Sequence, residues 1–400
     1  MTAGIRPMRR LAGTIGRILT VALVTGLVCV ATAGAAAATP QPAAPASDGS
    51  PPAVTSSPAC PDRTTPQPDD APVLAHFYIW FNASSWNRAK IDYPVVGRYS
   101  SDQVSVMRTQ VSQARAAGVD GFIVSWKSTD TLNSRLATLR DVAADADFKL
   151  AITYQAQDFN RNPLPPAQVR DDLVHLADTY ADDPVFHVLG DRPVVAISGT
   201  WHYTVDELRS ITEPVASRLT VLATEKNVED YERVSSAVEG DLYYWSSADP
   251  ETTPHYQDKL VAMANAVREH CGQWVAPVAP GFDARQVGGE SVVDRRGGDT
   301  LRRSWQAALT TVPDMIGVIS WNEWSENTYI EPSQEFGSRD LDVLHDLTGA
   351  PPAPAGELDS SAPSAPASPV QATIVASAVL GSMVLVTVLG VRRRRRATEP

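Results

Sequence analysis

Ile316-Gly317-Val318-Ile319-Ser320-Trp321-Asn322-Glu323-Trp324-Ser325-Glu326 decides how this 400-residue chain is read. The apolar run Ile316 to Ile319 has the length and composition of a buried strand. It passes into a segment, continued by Asn327-Thr328-Tyr329-Ile330-Glu331-Pro332, with two carboxylates three positions apart among indoles and amides. A strand that is plain at its start and chemical at its end suits a parallel α/β barrel, where function sits beyond the strands' C-terminal ends.

Seven further apolar runs match it: Val73–Trp80, Val119–Trp126, Phe148–Tyr154, Pro193–Ile197, Leu219–Ala223, Asp241–Trp245 and Trp274–Val278. Helical stretches separate nearly all of them, among them Leu132–Ala144, Pro166–Tyr180, Tyr256–His270 and Leu301–Thr311. Ser100 with Gln103, and Thr204 with Glu207, have the spacing of N-terminal capping boxes. Eight alternating units predict an α/β fold, a single (β/α)8 TIM barrel over residues 72–348. An open doubly wound sheet would want a glycine-rich phosphate loop after the first strand, and Phe81-Asn82-Ala83-Ser84 stands there instead.

Outside the barrel the composition changes. Arg6, Arg9, Arg10 and Arg17 flank an apolar run that closes in Ala35-Ala36-Ala37-Ala38, the layout of a secretory signal over 1–38. Linkers rich in Pro, Ala and Ser cover 39–71 and 349–372. Residues 373–391 carry no charge, close to the ~20 residues a helix needs to span a bilayer core. Arg392 to Arg396 follow at once. The pattern predicts one C-terminal transmembrane helix, a cytoplasmic basic tail over 392–400 and a body on the outer side of the cell membrane. Cys29 falls within the signal. Cys60 and Cys271 remain, and export permits a disulfide between them. The sequence leaves that pairing open, because Cys60 lies in a linker.

The formal charge of −12 already includes the four signal arginines and the five of the tail, so the body is more acidic still. Such a surface argues against nucleic acid and phosphate polymers and is compatible with neutral glycans. No Cys/His cluster has metal-ligand spacing, so neither a metal nor another cofactor is expected.

Aromatics, amides and acids recur at the strand ends. Glu323 and Glu326 form the candidate catalytic pair, since one helical turn would direct both to one cavity, and paired carboxyls move the protons of glycosidic cleavage. The bland alternative makes one a helix cap or the partner of Arg302 or Arg303. Trp126 and Trp324 could stack on sugar rings or fill core. Tyr78 and Tyr244 could hydrogen-bond a substrate hydroxyl or merely pack; Asn322 joins them as a candidate contact. Asp283 could orient a hydroxyl or cap a turn. Glu331 reads as a structural or rim acid, His76 as a core histidine, and Glu225 as an ion-pair partner or a ligand contact. Arg295-Arg296 reads as a solvated or loop-ordering pair.

These residues resemble a known family. Ser320-Trp321-Asn322-Glu323-Trp324-Ser325-Glu326, followed by Thr328-Tyr329-Ile330-Glu331, is similar to the Phe-Asn-Glu-Trp-His-Glu-Gly-Thr-Gln-Ile-Glu signature of glycoside hydrolase family 99. That family holds endo-α-mannosidases and endo-α-1,2-mannanases, and related bacterial proteins linked to polysaccharide loci carry Ser-Trp-Asn-Glu-Trp-Asn-Glu. Phe77-Tyr78-Ile79-Trp80-Phe81 resembles its Tyr-Tyr-x-Trp-Tyr, and Val124-Ser125-Trp126 its Val-Ser-Trp-Trp. Gly118-Val119-Asp120-Gly121 and Pro280-Gly281-Phe282-Asp283 resemble two further family motifs, all in order across 72–335.

The resemblance implies retaining endo-α-mannoside hydrolysis by neighbouring-group participation. The residue matching Glu323 would act as base on the sugar 2-hydroxyl, giving a 1,2-anhydro intermediate. The one matching Glu326 would protonate the leaving oxygen and then activate water. Tyr78 and Trp126 would line the subsites. Ser325 and Asn327 depart from the family's His and Gly beside the acids, which bears on the sugar held there. The expected function is a glycosidase acting on neutral, α-mannose-containing glycans. The rival is a carbohydrate-binding or polysaccharide-assembly protein that keeps the barrel without turnover.

Overall fold

The computed structural model describes residue 60 and residues 71–350, except residue 159. The expected signal, membrane helix and basic tail lie outside the described residues, as do the linkers apart from Cys60 and a few residues at the domain edge. Among the described residues no helix is long and apolar enough to cross a membrane.

Seven parallel strands, β1 (Val73–Tyr78), β2 (Gly121–Trp126), β3 (Lys149–Gln155), β4 (Val194–Ser198), β5 (Thr220–Leu222), β6 (Gly240–Leu242) and β7 (Gln273–Val278), alternate with helices. A small antiparallel hairpin, β8 (Phe282–Asp283) with β9 (Val292–Val293), precedes the eighth barrel strand, β10 (Met315–Val318). The sheet order is β5-β4-β3-β2-β1-β10-β7-β6. A parallel bridge from Ala223 to Asp241 joins its two ends. The sheet is closed, as a (β/α)8 barrel requires.

The helices are α1 (Val104–Ala116), α2 (Asp130–Asp145), α3 (Pro166–Tyr180), α4 (Val205–Thr212), α5 (Val228–Val234), α6 (Tyr256–Glu269), α7 (Asp299–Leu309) and α8 (Arg339–Thr348). Thr204 and Glu207 form the expected reciprocal box at α4. At α1 only half of the box exists. Gln103 Oε1 accepts the Ser100 N–H at 2.8 Å, but the Ser100 hydroxyl donates to Asp102. The short α5, the hairpin and α8 were not legible as separate elements, being too brief or too charged to show a period.

Side chains alternate across each strand. Leu74, Ile123, Ala151, Val194, Leu222, Leu242, Val275 and Met315 point inward and form one apolar plug. Their neighbours, such as Phe122, Leu150, Val221, Trp274 and Ile316, pack outward against the helices in a larger core. Burying each such side chain contributes about 1.5–3 kcal/mol. Further along the same inward rows the chemistry turns polar: His76 and Tyr78 on β1, Ser125 on β2, Thr153 and Gln155 on β3. The apolar plug therefore floors a polar chamber at the strands' C-terminal ends. His76 is a core residue, as read from its position. Burial pushes its imidazole down to about 3. Gly317 leaves it room, since a Cβ there would lie 3.4 Å from His76 Nε2.

Cys60 and Cys271 are joined, Cα to Cα 5.6 Å, so a residue of the N-terminal linker is fastened to the turn between α6 and β7.

Candidate active site

The loop after β10 is folded by its own hydroxyls and amides. Ser320 Oγ lies 2.9 Å from Thr328 Oγ1 and accepts the Glu323 N–H at 2.8 Å. The Ser320 N–H donates to the Thr328 carbonyl at 2.8 Å. Asn327 turns the chain at a left-handed φ of 55°, a conformation asparagine tolerates. Its side-chain amide donates to the Asp283 carbonyl at 3.1 Å, and the Asp283 N–H donates to the Glu326 carbonyl at 2.8 Å. Arg295, buried in an ion pair with Asp340 at 2.6 Å, donates to the Asn327 carbonyl. Of the two roles open to Arg295, the structure gives it loop ordering; Arg296 pairs with Asp249.

This loop brings Glu323 and Glu326 to one cavity of about 340 Å³. Tyr78 and Tyr244 share it, their hydroxyls 2.9 Å apart. Ser125, Gln155, Gln157 and Trp80 line it as well. Arg302 and Arg303 are paired with Asp346 and Asp299 instead, so neither acid is a partner of theirs.

The two acids have unequal surroundings. Burial raises Glu323 to about 7, while the Ser325 N–H (3.1 Å to Oε1) and the Lys90 charge hold it back. Burial also raises Glu326, to about 8, and the negative charge of Glu323 adds to the rise; Arg161 opposes it. The order follows from the contacts: Glu323 has an amide and an ammonium on its side, whereas Glu326 faces another acid. Two carboxyls with opposed neighbours share one chamber.

Four expected contacts are placed differently. Trp324 is fully buried, stacked on Tyr329 at 3.9 Å, with its indole N–H donated to Glu331. It is packed in the aromatic cluster behind the cavity and offers no ring face to a sugar. Trp126 touches the cavity wall but is only 1% exposed. It has the outward parity of Phe122 and Val124, so its ring packs against Tyr154 and its N–H donates to Asn133 on α2. The Asn322 side chain is spent on Tyr78, accepting its N–H at 2.8 Å and donating to its carbonyl, and on the Tyr99 hydroxyl. It ties β1 to the loop that carries the two acids. The Asp283 carboxylate is paired with Arg285 at 2.6 Å, and its contribution to the site is through its backbone. Glu331 is structural, accepting from Gln110 and Tyr99.

Sequence reasoning passed over Arg88, Lys90, Gln155 and Arg161, all of which line the cavity. Inward parity with Thr153 could have found Gln155. The three cations lie on irregular loops, where no period speaks. A larger hollow of about 520 Å³ beside α6 and α7 has no acid pair, and its His255 and Asp258 are bonded to each other. Among the described residues no group of three or more His, Cys, Asp or Glu side chains could hold a metal ion.

Comparison with known proteins agrees with this geometry. The model of the family described as Glycosyl hydrolase family 99 matches residues 81–345. A Glycoprotein endo-alpha-1,2-mannosidase of Rattus norvegicus is 22% identical over 269 residues, covering 60% of this chain and 56% of that protein. The Glucan endo-1,3-alpha-glucosidase agn1 of Schizosaccharomyces pombe is 25% identical over 282 residues, covering 64% of this chain and 60% of its own. The chain thus spans little more than half the length of these curated relatives. The solved endo-alpha-mannosidase of the same family from Bacteroides thetaiotaomicron shares the fold, with a TM-score of 0.60, 21% identity, and coverage of 70% of this chain and 96% of that one.

Proposed function

The chain belongs to glycosyl hydrolase family 99, and from that premise we propose that it is a retaining glycosidase acting on α-mannose-containing glycans. The observation that carries the reading is the pair of buried carboxyls, unlike in their neighbours, lining one cavity beside Tyr78 and Tyr244.

In this scheme ionised Glu323 takes the proton of the mannosyl 2-hydroxyl. The freed oxygen attacks C1 from the face opposite the departing group. Protonated Glu326 gives its proton to the glycosidic oxygen as the C1–O bond breaks, leaving a 1,2-anhydro sugar. Glu326, now a carboxylate, then takes a proton from water, which opens the anhydro ring at C1, and Glu323 returns its proton to O2. Two inversions leave the configuration at C1 unchanged. The contacts support the assignment, since Lys90 and the Ser325 amide favour an ionised Glu323 and the charge of Glu323 favours a protonated Glu326.

The test compares the wild type with Glu323→Gln and Glu326→Gln on α-mannan oligosaccharides, with the product anomer read by NMR. Product of retained configuration from the wild type, and almost none from either variant, is the expected result. Binding by all three with no product from any would leave the carbohydrate-binding or assembly role.

The proposed setting is outside the cell, on a membrane helix over 373–391. The Cys60–Cys271 bond supports it, because such bonds persist in oxidising compartments. Protease added to intact cells should release an active fragment; activity that stays in the cytosolic fraction would refute the setting.

A further inference from the structure

We propose that the cleft binds a single anionic substituent, a phosphoryl or carboxyl group, carried on an otherwise neutral glycan and held by Arg161 with Lys127. The inference rests on the glycan-binding reading above and narrows its substrate class.

The net charge of −12 describes the whole chain and not the cleft. Five cationic side chains line the cavity against three acids, Asp158, Glu323 and Glu326. Four of the cations have partners, Arg88 and Lys127 among them. Arg135 is bonded to Asp102, which does not line the cavity, and Lys90 donates to Ser325 Oγ beside Glu323. Arg161 is different. Among the described residues its guanidinium has no hydrogen-bond or ion-pair partner, although it lies on the cavity wall.

The loop that carries Arg161 is built. Gln157 and Pro163 form an antiparallel bridge, and the Asp158 carboxylate accepts both the Asn160 and Asn162 N–H groups at 2.8 Å. Arg161 sits at the tip with φ 66°, its N–H donated to the Asp158 carbonyl. Lys127, at the end of β2, is anchored to the Gln157 carbonyl of the same loop. The Asp158 carboxylate is bonded within its own loop and faces the Lys127 charge, and Glu326, the acid that faces Arg161, is uncharged in the form that donates a proton. In that protonated form of Glu326, the guanidinium is faced by a neutral carboxyl and not by a carboxylate when the ligand arrives. A planar fork of donors in that state suits a phosphate or carboxylate, which it can grip with two parallel bonds. Screening confines the field to roughly 8 Å at physiological salt. A single group near the loop is attracted while a polyanion is still repelled by the remaining surface.

Calorimetric binding to the full chain tests this, with an α-mannose oligosaccharide as the neutral ligand and its phosphorylated and uronic-acid forms as the anionic ones. The expected result is about tenfold tighter binding of at least one anionic form, a single charge-assisted contact. The preference should fall at high salt and collapse in Arg161→Gln, with partial rescue by Arg161→Lys. The two anionic arms tell phosphoryl from carboxyl. Equal binding of neutral and anionic ligands, or a preference that survives in a folded Arg161→Gln, overturns the proposal. Binding needs no turnover, so failure to hydrolyse any ligand would count against the glycosidase reading alone.

Discussion

Two pairs of buried acids stand near the C-terminal ends of the barrel strands, Glu323 with Glu326 after β10 and Glu225 with Asp241 at β5 and β6. Burial raises all four carboxyls, and Asp241 goes well above the ordinary range. Only the first pair lines the cavity. The second is closed in: Asp241 accepts the Glu225 N–H at 2.7 Å, and Arg233 approaches Glu225 at 3.5 Å. Beside them Lys226 lies 3.4 Å over the Trp201 ring. A raised carboxyl pKa therefore reports burial and does not by itself mark a site of chemistry. Access, and neighbours of opposite effect on the two acids, distinguish the proposed catalytic pair.

Activity separates the pairs most strongly. Glu323→Gln or Glu326→Gln should lower kcat/KM by about 10²–10⁴-fold, the range of lost general acid–base catalysis. Asp241→Asn should leave kcat/KM within a few-fold of wild type, because an amide mimics the protonated acid. Comparable losses from both pairs in folded protein would break the distinction.

Stability against pH comes next. A carboxyl whose folded value lies above its unfolded one contributes stability that is full below the unfolded value and lost as pH rises through the folded value. Glu225, Glu323 and Glu331 are raised to about 7 and Glu326 to about 8, from an ordinary 4.5. The midpoint of thermal unfolding should thus fall as pH rises from near 5 to near 8. Asp241→Asn should flatten that decline, since an amide has no proton to lose. Calorimetric scans that stay flat, or rise only below pH 6.5 as buried neutral His76 alone would make them do, would mean that the acids are already ionised in the folded protein.

The barrel was legible because eight apolar runs announce themselves. The loop that carries the acid pair to the cavity was legible because Glu323 and Glu326 follow the last run directly. The tryptophans were not, since composition marks them as sugar platforms whereas parity decides which way they face. Trp126 falls on the helix side of β2, and Trp324 lies in an irregular reversal where no parity exists. The sign of the cleft was hidden for a related reason. A net charge sums over every surface, while Lys90, Lys127 and Arg161 are gathered at one cavity by loops that have no periodic signal.

The smallest expected effect bears on why the cleft acids differ at all. Lys90 Nζ donates to the Arg88 carbonyl at 3.0 Å and lies 3.4 Å from Ser325 Oγ. Its charge opposes the rise of Glu323. Lys90→Met removes that charge, and with it the ammonium 5.8 Å from the Phe81 and Trp86 ring centroids, while keeping an unbranched side chain. Glu323 should then rise further, moving the acidic limb of the kcat/KM profile to higher pH by up to about one unit. A less ionised Glu323 pushes Glu326 up less, so the alkaline limb should move down and the bell should narrow from both sides. A uniform fall in kcat/KM with both limbs unmoved would assign Lys90 to the substrate. The unequal acidities would then rest on the Ser325 amide and the mutual charge of the pair alone.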